Sequence, residues 1–190
     1  MAAKGYNQEE GIDNDETYAL VARLEAIRLL LSFACIMNFR LYQMDVKSVF
    51  LNGYIEEVIY VDQPPGCVDF EHPNYVYKLK KVLYGLKKAP RSWYERLSNF
   101  LIGQSFARGQ VDKTLLIKRS NNELLLMQIF VDDIGFGATN EALRKEFSNS
   151  MQEEFEMSMM GELTFFLRLQ VKQMKHGTFL CQTKYCTKLI

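Results

Sequence analysis

An apolar run from Leu124 to Val131 ends abruptly in two adjacent aspartates, Asp132 and Asp133, then resumes across Ile134-Gly135-Phe136-Gly137. A stretch this hydrophobic is buried when the chain folds, and its length suits a strand. An ionised carboxylate carried into such surroundings needs a partner, and two neighbours also repel each other. No Lys or Arg occurs among the ten residues on either side of the pair. A divalent cation is the simplest local compensation, magnesium above all, because it takes oxygen ligands. Gly135 and Gly137 permit a tight hairpin with the aspartates at its tip. The same residues also fit a solvated β-turn, where Asp is common. Asp45 ends a second apolar segment, Leu41 to Val46. Three carboxylates at the ends of neighbouring strands can hold two magnesium ions for phosphoryl transfer. The sequence leaves the adjacency of these strands open, and a lone Asp before a turn is ordinary.

Around these segments, Leu20, Leu24, Ile27, Leu31 and Ala34 recur at three- and four-residue steps, which predicts an amphipathic helix to about Met37. Asn52-Gly53 is a turn signal, and Val58 to Val61 and Tyr75 to Leu79 suit short strands on either side of the Pro64-Pro65-Gly66 break. After Pro90, Trp93, Leu97, Phe100 and Leu101 share a helical face that Gly103 closes. Asp112 to Lys118 and Leu124 to Val131 read as strands of a hairpin joined through Ser120-Asn121-Asn122. Thr139 is the expected N-cap of a helix burying Leu143, Phe147 and Met151. Leu163 to Lys172 and Thr178 to Gln182 form a second expected hairpin around Lys175-His176-Gly177, with a short helix from Thr183. Met157, Met159 and Met160 are read as packing only. Strands interleaved with helices imply an α+β fold with a mainly antiparallel sheet.

The 23 basic and 23 acidic side chains balance, so no global field draws this chain to nucleic acid. A local cluster remains in Lys78, Lys80, Lys81, Lys87, Lys88 and Arg91, interleaved with Tyr84, Trp93 and Tyr94. It suits a phosphate backbone or a solvated face. The four cysteines form no C-x-x-C pair, and the two histidines give no zinc spacing. No run of about 18 apolar residues and no signal peptide is present, so a cytoplasmic or nuclear protein without membrane contact is expected.

Taken in order, Asp45-Val46-Lys47-Ser48-Val49-Phe50-Leu51-Asn52-Gly53, Leu83 to Tyr94, Phe130-Val131-Asp132-Asp133, Gly161 to Leu167 and Gln182-Thr183-Lys184-Tyr185 resemble the successive blocks of copia-type reverse transcriptases. The resemblance spans nearly the whole chain. It implies a right-hand polymerase palm, an antiparallel sheet backed by helices, with partial fingers and the start of a thumb. On that scheme residues 1–40 and 51–95 are fingers-like, 41–50 and 96–160 palm, and 161–190 primer-grip hairpin and thumb start. It implies addition of deoxynucleotides to a primer on an RNA or DNA template, with magnesium as cofactor and manganese as a substitute. Asp45 and Asp132 become the principal metal ligands, Asp133 a secondary one, and the Val46 carbonyl touches the triphosphate-side ion. Phe50 lies under the sugar and excludes a 2′-hydroxyl, although a core aromatic role fits it equally. Tyr84, Gly85 and Lys87 line template and nucleotide beside Phe130, and Leu167, Arg168 and Leu169 fall in the primer-grip block.

The sequence departs from the family's pattern at several positions. Phe130 stands for a usual Tyr and lacks its hydroxyl. Gly135 replaces an apolar β-branched residue, which loosens a strand. Arg168 replaces a Gly, where a long charged side chain either blocks close backbone approach or forces an unfavourable positive φ. Leu20, Val49 and Lys88 replace a usual Pro, Ala and Gln. The family's chain continues upstream with a basic triphosphate-holding segment and downstream through thumb, connection and RNase H. A fragment that copies nucleic acid poorly or not at all is therefore expected. The alternatives are a non-enzymatic, domesticated relic that at most binds nucleic acid, or a metal-free α+β domain whose three carboxylates lie far apart.

Overall fold

The computed structural model describes residues 23–55 and 58–182. In chain order it forms α1 (Leu24–Ile36), β1 (Leu41–Val46), a 3-10 turn (Val49–Asn52), β2 (Tyr60–Asp62), β3 (Val76–Lys78) and α2 (Ala89–Gly103). There follow β4 (Ala107–Arg108), β5 (Leu115–Ser120), β6 (Glu123–Phe130), β7 (Asp133–Ala138), α3 (Glu141–Glu154), β8 (Met157–Glu162), β9 (Phe165–Phe166), β10 (Leu169–Met174) and β11 (Gly177–Cys181). The fold is α+β. The described residues between Ser48 and Phe100 make one compact unit, and those before and after them make another.

The second unit carries a six-stranded antiparallel sheet in the order β4-β5-β6-β7-β1-β8. The β6 run is apolar on both faces because both are covered: Leu125, Leu126, Met127 and Ile129 are all buried. On one face Phe136 of β7 packs against Phe147 of α3 at 5.2 Å between ring centroids. On the other, Leu41 and Leu126 join Ile27, Leu30, Leu31 and Ala34 of α1 with Leu163, Phe166, Leu169 and Val171. The latter belong to a separate three-stranded sheet, β11-β10-β9, and its approach. Gln173 ties the two sheets, because its side-chain amide accepts from the Leu41 amide and donates to the Leu41 carbonyl, each at 2.8 Å.

Helix α1 ends in a left-handed Asn38, with φ 54°. The Asn38 amide donates to Cys35 and the Phe39 amide to Ala34, which satisfies carbonyls that the helix leaves open. The expected helix start at Leu20 and the expected helix from Thr183 lie outside the described residues.

Several expectations are corrected. Strand β5 begins at Leu115, because Asp112 folds into a side-chain turn: its Oδ1 accepts from the Thr114 amide at 2.9 Å. Asn140, not Thr139, caps α3, its Oδ1 accepting from Ala142 at 2.7 Å. Thr139 instead accepts from the Leu124 amide at 2.9 Å, closing the end of the β6–β7 hairpin. The expected strand from Leu163 to Lys172 is broken into β9 and β10 by a two-residue turn at Leu167-Arg168. The methionine-rich stretch, read for packing alone, forms edge strand β8, Met157–Glu162, paired with β1; Met157 packs as expected, whereas Met160 is exposed.

The other unit holds the short β2–β3 pair and a small core of Val82, Leu86 and Ala89. Phe50, Ile55, Leu79 and Leu83 pack against that core. Gly53 is required there by close approach, since a Cβ would stand 3.0 Å from the Ser92 side chain and 3.1 Å from the Trp93 amide nitrogen.

Candidate active site

Strands β1 and β7 run antiparallel in a register that sets Asp45 directly opposite Asp133. The next pair outward, Val46 and Asp132, is hydrogen-bonded, with the Val46 amide donating to the Asp132 carbonyl at 3.0 Å. Hydrogen-bonded and non-bonded pairs alternate in such ladders, so Asp45 and Asp133 form the non-bonded kind, with α-carbons only about 4.5 Å apart. Directly opposed residues also share a face, so the two carboxylates emerge side by side. Both residues are half-buried, whereas Asp132 is exposed.

A two-residue loop, Val131-Asp132, joins β6 to β7, because Phe130 pairs directly with Asp133. Val131 has φ 51°, and Asp132 is not among the positive-φ residues. Positive φ at the first loop position alone is the pattern of a type II′ turn, which favours Gly there. A β-branched side chain in that region is strained, at a cost of about 1–3 kcal/mol. The turn thereby places Asp132 at the tip, one residue before the facing pair.

Asp133 is the electrostatically stressed member. Burial pushes its carboxyl above the ordinary aspartate value of 3.8, a hydrogen bond from Gln43 pulls it back, and the charges of Asp132 and Asp45 push it further up. Asp132 and Asp45 thus both act on the Asp133 carboxyl. Among the described residues, no group of three or more His, Cys, Asp or Glu side chains forms a ready-made metal cage. A facing pair of hard carboxylates still fits magnesium, which is usually held by one or two carboxylates, with water and substrate phosphates completing its shell.

The other sequence-derived candidates are distributed as follows. Phe130 is half-buried against the α1-side apolar cluster, and Val46 is buried. Leu167 and Arg168 form the β9–β10 turn with φ 47° and 67°, Arg168 exposed, and Leu169 is buried below them. In the Ser48–Phe100 unit, Phe50 is half-buried with its ring 4.9 Å from that of Tyr84, a core-like setting. Gly85 takes φ 93°, which only Gly adopts freely, and Tyr84 and Lys87 are exposed. Of the basic run, Lys78, Lys80, Lys81, Lys87 and Arg91 are exposed, Arg91 paired with Glu95 at 2.9 Å. Lys88 is buried, so the run is not a uniform solvated face.

One site residue went unread in the sequence. Gln43 donates through Nε2 to Asp133 Oδ1 at 2.8 Å. Its signal was the two-residue period: a polar side chain two positions before Asp45 lies on the same sheet face.

The sequence profile of the reverse transcriptase (RNA-dependent DNA polymerase) family matches residues 1–190. The chain is 35% identical over 190 residues to the retrovirus-related Pol polyprotein from transposon RE1 of Arabidopsis thaliana, covering 100% of this chain and 13% of that protein. It is 32% identical over 193 residues to the retrovirus-related Pol polyprotein from transposon TNT 1-94 of Nicotiana tabacum, covering 100% of this chain and 14% of that protein. The chain therefore spans about one-seventh of the length of these relatives. The match over its full length, in both comparisons, means that the chain belongs to the reverse transcriptase family of copia-type retrotransposon Pol polyproteins.

Proposed function

We propose that this domain carries the nucleotidyl-transfer centre of an RNA-directed DNA polymerase, with Asp45, Asp132 and Asp133 as its acidic residues. The observation that supports this best is the pairing of Asp45 with Asp133 at the ends of adjacent strands, with Asp132 on the connecting turn. Asp45 and Asp132 would be the principal ligands of magnesium, or of manganese in its place, with Asp133 and the Val46 carbonyl in support. A bound cation supplies a polarised oxygen for attack and stabilises the leaving oxygen. The residues themselves supply charge and placement: two half-buried acids on one face concentrate negative potential where a cation and a triphosphate meet. On this reading the β1–β7 sheet is a palm, residues 1–40 and 51–95 are fingers-like, and β9–β11 begins the primer grip and thumb. Template-primer and deoxynucleoside triphosphates are the partners, with Phe50, Tyr84, Gly85, Lys87 and Phe130 lining them.

A specific observation favours weak activity, or a nucleic-acid-binding relic. The turn in the primer-grip block is built from two left-handed non-glycine residues, Leu167 and Arg168. Strain of about 1–3 kcal/mol per residue loosens a turn that must hold a primer end. Primer extension on a homopolymer template with magnesium tests both readings. Weak extension that is lost in Asp45→Asn and Asp132→Asn supports the polymerase reading. No extension, with nucleic-acid binding retained and insensitive to magnesium, supports the relic.

A further inference from the structure

Gln43 sits two residues before Asp45 on β1, on the face that carries the facing acids. Its cross-strand neighbours are both glycines, Gly135 on β7 and Gly161 on β8. With no side chain beside it on either strand, the Gln43 amide crosses diagonally to Asp133 and donates from Nε2 to Oδ1 at 2.8 Å. Diagonal neighbours on a sheet are within reach of long side chains. Among the described residues no protein donor to the second carboxylate oxygen, Oδ2, accompanies this one.

We propose that Gln43 is a positioning residue of the acidic site: its amide holds the Asp133 carboxylate in one orientation, occupying Oδ1 and leaving Oδ2 to a divalent cation. This rests on the cation-binding reading of the site. A neutral amide suits the task. Lys or Arg at position 43 would orient the carboxylate equally well, but would neutralise it and compete with the cation for the same charge. An amide donor fixes the geometry and leaves the negative charge in place. Groups that hydrogen-bond metal ligands in this way typically change metal affinity by about 10–100-fold when removed.

Titration calorimetry with Mn2+ as the probe tests this on the whole chain: wild type, Gln43→Met, Asp133→Asn and the double variant. Gln43→Met keeps the length of the side chain and removes the donor. Gln43→Ser, polar but too short to reach Asp133, is the second variant should the first fail to fold. The expected result is an Mn2+ affinity about tenfold or more weaker in either Gln43 variant, with an unchanged circular dichroism spectrum. In the Asp133→Asn background the Gln43 substitution adds no further loss. Wild-type affinity in the Gln43 variants, or an equal loss in the Asp133→Asn background, overturns the proposal while leaving cation binding standing. No Mn2+ binding by the wild type overturns both.

Discussion

Replacing Asp133 with Asn removes one of two facing negative charges and little else. The Asn Oδ1 still accepts from Gln43, so the 2.8 Å hydrogen bond survives in neutral form. Like charges directly opposite on neighbouring strands are destabilising, and cross-strand pair terms are about 0.2–1 kcal/mol. Asp133 is only half-buried, so solvent screens part of the repulsion from Asp45 and Asp132. Without divalent cations, Asp133→Asn is expected to stabilise the fold at pH 7 by about 0.5–1 kcal/mol, or about 1–4 °C for a chain of this size. The pH dependence has a defined sign. The folded carboxyl is raised above its ordinary value, so folding takes up a proton. Its favourable contribution is complete below the ordinary aspartate range and is lost as pH rises through the raised value. Asn does not titrate, so the gap between variant and wild type opens from acidic pH toward neutrality and then stays level. Urea denaturation followed by circular dichroism from pH 4 to 8, in a chelator, measures it. Added magnesium should then stabilise the wild type by mass action, about 2.7 kcal/mol at a hundred times the dissociation constant, and the variant less. A variant that is less stable at pH 7 without metal, or a gap independent of pH, would refute the facing-acid argument.

Two further substitutions probe the backbone. Arg168→Gly relieves a left-handed residue at φ 67° and should stabilise by about 0.5–1 kcal/mol in urea denaturation, after offset by the more flexible unfolded chain. A neutral or negative effect would show that the Arg168 side chain makes up for its backbone. The two glycines after the aspartates should respond in opposite directions. A Cβ on Gly137 would stand 2.6 Å from the Arg40 carbonyl oxygen, so Gly137→Ala should cost about 1–3 kcal/mol. A Cβ on Gly135 would meet the Phe166 ring at 3.7 Å, an ordinary contact, so Gly135→Ala should gain about 0.5–1 kcal/mol. Equal melting shifts for the two would contradict these environments.

Much of the local structure was legible in the residues. Strand β1 coincides with the expected Leu41–Val46, and Asn121-Asn122, with φ 45° and 66°, makes the expected hairpin turn. Both follow from short-range rules: apolar patterning, and the tolerance of Asn for a left-handed backbone. At Arg168, where the family resemblance implied a usual Gly, the backbone does take a positive φ of 67°. The choice of Asn140 over Thr139 as helix cap was not legible, because either side chain can cap, and only the neighbouring Leu124 amide claims the threonine. Strand β8 was missed because an edge strand rich in Met and Gly lacks a two-residue period, and pairing with β1 supplies its shape.

By itself, the sequence determined the α+β class, the buried hairpin and the presence of aspartates where apolar strands end, because each of these is written in residues that touch along the chain. Only the tertiary structure decided that β1 and β7 are neighbours, and in which register. That pairing joins residues some 90 positions apart, and shifting it by one residue would turn Asp45 to the opposite face from Asp133. The core of Leu41, Leu126, Phe166 and the α1 helix holds the register against that slip, and so fixes which acids face each other and which glutamine reaches them.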